Sequence, residues 1–198
     1  MITKAKEYFY KKDYKSALNI FKQNNLSYES GLCYLLLKDE KNARKFWQKD
    51  KNSLGSNWGL IVLDLINLRT QKLPSFFQTR AFLEVYLNLF LENELIEWSQ
   101  NFVSCCEFLV QANPESYKFI ARALFANGYF SLAITFCKKS LQVFYSDPEA
   151  FLILSQCQFL INDLKESLDS INKTLDIAPD YYPAMVFRKV IVDRIEKK

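Results

Sequence analysis

The hydrophobic positions of this chain recur three and four residues apart, which is the spacing of one face of an α-helix. Across residues 114–181 successive stretches follow this spacing, and short polar segments such as "NGY" and "NDL" separate them. The chain has only four Gly and five Pro residues, too few turn formers for an all-β chain with many hairpins. The pattern therefore predicts an all-α fold.

The same pattern occurs twice in residues 114–147 and 148–181, without a gap between the two copies. Each copy has an apolar first half, a polar break, and a second half with small side chains seven positions apart. Because small side chains let a neighbouring helix approach closely, each copy predicts two antiparallel helices. The matched pairs include Pro114 with Pro148, Tyr117 with Phe151, Ile120 with Leu154, Phe125 with Phe159, Ala133 with Ser167, Cys137 with Ile171 and Ser140 with Thr174.

A nearly identical pentapeptide opens each copy, "NPESY" at residues 113–117 and "DPEAF" at 147–151. Asn113 and Asp147 are predicted N-cap residues, followed by Pro at the first helical position and Glu in the first turn. Each cap is typically worth about 1 kcal/mol of stability. The pentapeptides are therefore interpreted as structural, with no catalytic role.

With this period the chain resembles the tetratricopeptide repeat (TPR) family, whose unit is a helix–turn–helix of 34 residues. The resemblance implies a right-handed α–α superhelix, a solenoid of TPR-like repeats closed by a C-terminal capping helix. It also implies a protein-binding role without catalysis, because such solenoids present a concave surface lined by the first helix of each repeat. The residues at the marked positions of the best-matching repeat are Phe151, Leu154, Ser155, Leu164, Ser167, Ile171, Thr174 and Pro179.

The resemblance predicts one continuous solenoid domain with an irregular joint in it. The N-terminal units are shortened, since Ala17 and Ala43 stand at equivalent positions, closer together than one full repeat. In the joint, Pro74 and the following "FFQT" are expected to interrupt the partner helix. The predicted segments are two degenerate units in 1–51, an irregular helix and linker in 52–79, repeats in 80–113, 114–147 and 148–181, and a capping helix in 182–198 whose polar face carries Arg188, Lys189, Asp193 and Arg194.

The composition excludes several functional classes. The chain has no histidine, the usual general base near neutral pH and the commonest zinc ligand. Its five cysteines lack C-x-x-C spacing, so neither a disulfide framework nor a metal site is predicted, and the adjacent Cys105 and Cys106 are interpreted as packing residues. No cofactor is expected. The apolar runs are too short to span a bilayer, and a cytoplasmic location is expected, or a periplasmic or membrane-complex one if further sequence precedes the chain.

The resemblance assigns the partner-binding side chains to the first helices of the repeats. The chain departs from the clamp with which some family members hold chaperone tails, because Glu84, Phe119 and Glu149 stand at comparable positions. We therefore expect a mixed apolar and basic groove that binds a peptide or helix with apolar and acidic side chains. The predicted partner-binding residues are Asn88, Lys118, Arg122, Phe125, Gln156 and Phe159.

Two alternatives to a scaffold or adaptor within a larger assembly stay open. The chain is a self-associating structural subunit if its apolar ends stack on copies of itself, which would make it a homo-oligomer. It is an RNA-binding helical repeat protein if the basic residues of 1–51, twelve Lys or Arg against six Asp or Glu, form a polyanion site. The lysines are scattered along helices, so nucleic acid is not expected.

Overall fold

A computed structural model describes residues 1–50, 52–69 and 73–197. The regular structure of these residues is helical, which confirms the prediction of an all-α fold built from TPR-like helical repeats. The chain forms two compact units, Met1–Lys72 and Leu73–Lys198. The boundary between them lies in the segment 52–79, where the sequence predicts an irregular joint, and positions 70–72 of that segment lie outside the described residues. The grouping of the repeats into one domain stays a prediction.

The N-terminal unit consists of helical hairpins in which consecutive helices pack on each other. Asp13 and Asp39 begin the second helix of each hairpin, and their carboxylates accept hydrogen bonds from the backbone N–H groups of Ser16 and Asn42, both at 3.1 Å. The pKa of both carboxyl groups is lowered, most of all by hydrogen bonding to the side chains of Ser16 and Asn42 and then by these backbone bonds. The helices are α1 (Ile2–Tyr10), α2 (Tyr14–Gln23), α3 (Ser27–Leu36), α4 (Glu40–Lys49) and α5 (Leu54–Ile66).

One tryptophan forms the centre of the N-terminal unit. Trp47 is fully buried, and its indole N–H donates a hydrogen bond of 3.0 Å to the carbonyl oxygen of Tyr28. A Cβ atom added at Gly31 in α3 or at Gly59 in α5 would overlap the indole ring. The two glycines therefore let α3 and α5 pack closely against a large side chain on α4.

The C-terminal unit begins with a helical run over residues 76–92. Ser75 and Gln78 form a capping box at its start, so "FFQT" begins a helix, earlier than residue 80 where the sequence places the repeat. The run contains a π-helical segment in its middle, and the second helix of this first repeat is divided at Cys105. The elements are α6 (Phe76–Ala81), the π segment (Phe82–Tyr86), α7 (Leu87–Glu92), α8 (Ile96–Ser104), α9 (Cys106–Ala112), α10 (Ser116–Ala126), α11 (Phe130–Val143), α12 (Pro148–Leu160), α13 (Leu164–Ile177) and α14 (Tyr182–Glu196).

The turns of the three C-terminal hairpins share one geometry at intervals of 34 residues. Glu94, Gly128 and Asn162 each have a left-handed backbone, with φ of 55°, 81° and 66°. The next N–H group donates to the carbonyl oxygen five residues earlier, as in the 2.9 Å bond from Tyr129 to Leu124. This bond satisfies a helix-end carbonyl that has no partner within the helix. The predicted period is therefore present in the backbone.

The two pentapeptides behave differently at the start of their helices. Asp147 caps α12 as predicted, accepting from the N–H groups of Glu149 and Ala150 at 3.0 and 3.1 Å. Asn113 is not the N-cap of α10, because a turn over residues 114–115 intervenes and the helix begins at Ser116. Instead, the fully buried Asn113 amide donates to the carbonyl oxygen of Phe76 and so joins α6 to the turn before α10.

The terminal helix α14 packs on α13 but is apolar on two sides. Ala184 and Ile191 are fully buried in a cluster with Leu152 and Ile171. The predicted polar residues are exposed, and among them Arg188 donates to Asn172 at 2.8 Å. The outer surface nevertheless exposes several large apolar side chains, namely Tyr182, Met185, Val186, Val190 and Ile195. The capping surface is therefore more apolar than the sequence predicts.

Candidate functional site

The first helices of the three C-terminal repeats lie side by side. Helix α10 contacts the π segment and α7 on one side and α12 on the other. The residues predicted to bind a partner stand on these helices, so the structure brings most of them onto one surface. We call this surface, formed by the exposed and half-exposed side chains of residues 80–92, α10 and α12, the inner strip.

A chain of ion pairs runs across the inner strip from one helix to the next. The Arg80 guanidinium binds Glu84 at 2.9 Å, and Glu84 also binds Arg122 of α10 at 3.0 Å. Arg122 binds Glu149 of α12 at 3.3 Å, and Glu149 lies 3.6 Å from the Lys118 ammonium. Each cation of the predicted basic groove is therefore already paired with carboxylates of this unit.

Lys118 differs most from its predicted role. Its side chain is only 9% exposed, and its Nζ atom binds Glu115 at 2.6 Å and Asp147 at 2.8 Å. Burial acts to lower the pKa of the ammonium group, but the hydrogen bonds that the ammonium donates to Asp147 and Glu115 outweigh it and raise the pKa. Lys118 therefore fastens α10 to the N-terminal end of α12 and is not an exposed contact.

Glu84 lies in the π segment, where the chain's helical hydrogen bonding changes. The N–H of Leu87 donates to the carbonyl oxygen of Phe82, five residues earlier. The Asn88 amide donates to the carbonyl oxygen of Glu84 at 2.6 Å and accepts from Asn127 at 2.8 Å. Asn88 thus stabilises the irregular turn that carries Glu84. Such single π turns are frequent at functional sites.

The remaining predicted residues divide between exposed and covered positions. Phe125 and Gln156 are half-buried and lie on the inner strip. Phe159 packs edge-to-face on Phe187 of α14, with ring centroids 5.4 Å apart, and belongs to the cluster beneath that helix. Phe159 is therefore partly covered by the chain itself, while Asn88, Arg122, Phe125 and Gln156 stay predicted contacts.

A shallow pocket of about 270 Å³ lies in the middle of the inner strip. The Arg80 guanidinium lies over the Phe119 ring, 5.4 Å from the ring centroid. Phe119 is one of the residues that line this pocket. Sequence reasoning did not assign the cation of Arg80 or the carboxylates of Glu115 and Asp147 to this surface. The (i, i+4) spacing of Arg80 and Glu84 was a usable signal, whereas the pairs between helices have none. The pocket is lined by Arg80, Glu84, Asn88, Phe119, Arg122, Ala123 and Ala126.

The cysteines of the chain do not form a reactive site. All five are buried and none forms a disulfide, and burial raises the pKa of each thiol, to about 12 for Cys33, Cys106 and Cys157. A thiol with so high a pKa is protonated at neutral pH and is a weak nucleophile. Cys105 and Cys106 are accordingly packing residues at the break between α8 and α9.

Two further features of the described residues concern metal binding and membrane crossing. No three His, Cys, Asp or Glu side chains in residues 1–50, 52–69 and 73–197 come together as a metal site would require. Across the same residues, the helices are too short or too polar for any of them to cross a lipid bilayer.

Comparisons with known proteins find similarity of fold. No protein-family model matches the sequence, and no curated protein sequence is significantly similar to it. The first TPR of Spaghetti (RPAP3), solved with an HSP90 peptide, is 18% identical with a TM-score of 0.48, over 64% of this chain and 99% of that one. The C-terminal part of a TPR protein from Cytophaga hutchinsonii is 16% identical with a TM-score of 0.47, over 96% and 70%.

A third solved structure is YrrB, a TPR protein described as having an unusual peptide-binding site. It is 13% identical with a TM-score of 0.46, over 95% of this chain and 90% of that one. With TM-scores below 0.5 and identities below 20%, these three structures indicate neither a partner nor an activity for this chain. The TPR-like helical repeat fold is seen in the chain's own helical hairpins and in the 34-residue interval of their turns.

Proposed function

We propose that the protein is an interaction scaffold that holds a segment of another protein against the inner strip. The observation that carries the proposal is the ion-pair chain from Arg80 to Lys118, which fixes three consecutive first helices in one arrangement. A surface fixed before binding loses less side-chain entropy when a partner docks, which favours affinity. The polar groups between the ion pairs are then available to recognise the partner.

The partner proposed for the inner strip is a peptide or helix with apolar side chains and some acidic ones. Apolar groups would pack on Phe125 and in the pocket beside Phe119, while Asn88 and Gln156 offer amide groups for hydrogen bonds. An acidic group would bind Arg122 by replacing Glu84 or Glu149. Because that exchange costs an existing ion pair, we expect acidic groups to contribute modestly here.

The test is affinity capture from the source organism with the full chain, followed by quantitative mass spectrometry. Wild type is compared with Arg122→Glu and with an Asn88→Ala/Gln156→Ala variant. The matched control is Lys165→Glu, which makes the same change of charge at an exposed position of α13. Proteins captured by wild type and the control but lost with both strip variants support the proposal. The same proteins captured by every variant would refute it.

A second candidate function is self-association through α14. It is favoured by the exposed side chains of Met185, Val186 and Val190, each 44% exposed on the last helix of the unit. Light scattering across a range of concentrations separates the candidates. A mass that rises with concentration, and that Val190→Glu returns to the monomer, supports self-association. A constant monomer mass removes it.

A further inference from the structure

The two units of the chain carry opposite net charges. Residues 1–72 contain 14 Lys or Arg and seven Asp or Glu, a net charge of +7, whereas residues 73–198 contain 12 and 15, a net charge of −3. A surface with a strong excess of one sign attracts partners of the other sign and speeds their association. The N-terminal unit is therefore the part of the molecule suited to an acidic partner.

The cations of the N-terminal unit also differ in their pairing. Arg44 on α4 forms an ion pair with Asp64 on α5 at 3.0 Å. Lys6, which is exposed on α1, has no carboxylate oxygen within ion-pair distance among the described residues. An anion that binds Lys6 would displace no partner, unlike an anion that binds Arg122.

Lys6 stands beside an apolar pocket of about 130 Å³ that no sequence pattern indicates. We call it the anchor pocket. A cavity of about 150 Å³ with apolar walls binds a benzene ring, so the anchor pocket has the size for one aromatic or branched aliphatic side chain. Its lining residues are Lys6, Phe9, Tyr10, Phe21, Glu29 and Leu32.

The walls of the anchor pocket come from three helices. Lys6, Phe9 and Tyr10 are three and four residues apart on α1, and so share one face of the helix. The Phe9 and Tyr10 rings meet edge-to-face at 6.4 Å, and the Tyr10 side chain is 81% exposed. A partner side chain in the pocket would cover Tyr10, which has little other burial. Phe21 of α2 and Leu32 of α3 complete the apolar lining.

We propose that the anchor pocket binds a protein segment with one large apolar side chain and neighbouring acidic residues. The inference rests on the proposed scaffold function and names a second partner site within it. The apolar side chain fills the pocket, and a carboxylate next to it binds Lys6. Glu29 stands at the pocket as its single carboxylate and would repel an acidic residue there. The partner's acidic residues therefore lie on the α1 side.

Two other occupants fit these observations less well. A nucleic acid would bring a phosphate chain with fixed spacing past apolar walls and past Glu29, while its bases would have to stack on Tyr10 alone. A second copy of the chain would have to present an exposed apolar residue with acidic neighbours. Both are outcomes of the test below.

The experiment measures binding to the full chain by fluorescence anisotropy. The probe is a fluorescein-labelled peptide with one central Phe, Asp or Glu on both sides, and Gly and Ser elsewhere. Two matched probes replace the Phe by Ala, or the acidic residues by Lys. Poly(U) RNA is added as a competitor. Light scattering of the protein with and without an excess of the Phe probe tests whether a second copy occupies the same surface.

Four variants locate the binding, one of them a matched control. We expect Lys6→Glu to weaken the acidic probe about tenfold, because it removes the ion pair and adds repulsion. Lys45→Glu, the same charge change at an exposed position of α4, should weaken it only about twofold through the general field. Tyr10→Ala, at a position with little burial to lose, should weaken it severalfold, and Glu29→Gln should strengthen it.

The outcomes are decisive in either direction. Loss of binding with the Ala probe, with the Lys probe and with Lys6→Glu supports the proposal. Equal effects of Lys6→Glu and Lys45→Glu, or equal binding of all three probes, would overturn it. Displacement by poly(U) would assign the surface to nucleic acid, and an oligomer that the Phe probe dissociates would assign it to a second copy. If this site fails while the Arg122→Glu capture result holds, the scaffold function stands without it.

Discussion

The N-terminal and C-terminal units solve the same packing problem by different means. In the N-terminal unit, α3, α4 and α5 close around the ring of Trp47, and Gly31 and Gly59 provide the space for it. In the C-terminal unit the helices are joined by polar side chains, including the ion-pair chain that ends at Lys118. Neighbouring helical hairpins can therefore be held together by shape or by charge within one fold.

The difference teaches where binding groups become available. Where carboxylates of the fold already hold the cations, a partner must compete for them. In the N-terminal unit, Lys6 has no carboxylate oxygen within ion-pair distance among the described residues. A partner that binds Lys6 therefore does not have to displace a carboxylate of the fold, whereas one that binds Arg122 does.

The largest expected effect comes from disrupting the packing around Trp47 in the N-terminal unit. Trp47→Ala should destabilise the N-terminal unit by about 3–5 kcal/mol, because it leaves a cavity between three helices. Gly59→Ala should also be strongly destabilising, since the new methyl group overlaps the indole. Hydrogen exchange should show lost protection in residues 27–66. Equal loss of protection in the C-terminal unit would contradict the separation of the two units.

The next largest effect comes from removing the buried ion pairs of Lys118 in the C-terminal unit. Lys118→Met should cost about 3 kcal/mol of unfolding free energy, because Asp147 and Glu115 lose their buried partner. Arg122→Ala is the matched control and should cost less than about 1 kcal/mol, since its side chain is 40% exposed. Denaturant unfolding measures both. Similar losses of unfolding free energy in the two variants would mean that the burial of Lys118 does not strengthen its ion pairs.

The pH dependence of the Lys118 contribution follows from the sign of its shift. Its pKa is raised above the ordinary lysine value of 10.5, so the folded state holds the proton more tightly than the unfolded chain. The stabilisation is complete below that ordinary value and is lost as the pH rises through the raised pKa. Wild type and Lys118→Met should therefore differ less at strongly alkaline pH than at pH 7.

A smaller effect tests the contact between α12 and α13. Ser155 and Ser167 are fully buried, and each hydroxyl donates to the other residue's carbonyl oxygen, at 2.7 and 2.8 Å. Ser155→Ala or Ser167→Ala should each cost about 1–2 kcal/mol, because a buried acceptor loses its donor. A double-mutant cycle measured by urea unfolding should give a coupling energy clearly different from zero. Strict additivity would show that the two hydroxyl groups act independently.

The smallest effect concerns the repeated turn. Glu94→Gly should stabilise the protein by about 0.5–1 kcal/mol, because glycine adopts the left-handed backbone without steric cost. Gly128→Ala should destabilise it by about 1 kcal/mol at the equivalent position, although a Cβ there meets open space. Thermal unfolding of the pair checks both signs. A destabilised Glu94→Gly would show that its side chain matters more than its backbone.

Much of the fold was predictable because the two copies of a repeat can be aligned with each other. The match of residues 114–147 with 148–181 predicted the hairpins, and Gly128 and Asn162 stand in equivalent left-handed turns. The cap at Asp147 was also predictable, because it needs only residues close in sequence. Asn113 was not, since its amide binds Phe76, 37 positions earlier.

The candidate site was predictable in position but not in chemistry. The helical period placed Lys118 and Arg122 on one helix, yet it gave no indication that Glu84 and Glu149 would lie against them. Those pairings depend on how neighbouring helices are aligned, which sequence spacing within a single helix does not specify. The anchor pocket has a similar origin, because its lining residues come from three different helices.

The distribution of the three tryptophans allows the unfolding of the N-terminal unit to be followed by fluorescence. Trp47 and Trp58 belong to the N-terminal unit, while Trp98, whose ring lies 5.7 Å from that of Phe90, belongs to the C-terminal one. In a Trp58→Phe/Trp98→Phe variant the indole emission comes from Trp47 alone. Its wavelength would then report the exposure of Trp47 to water during denaturation, without any added label.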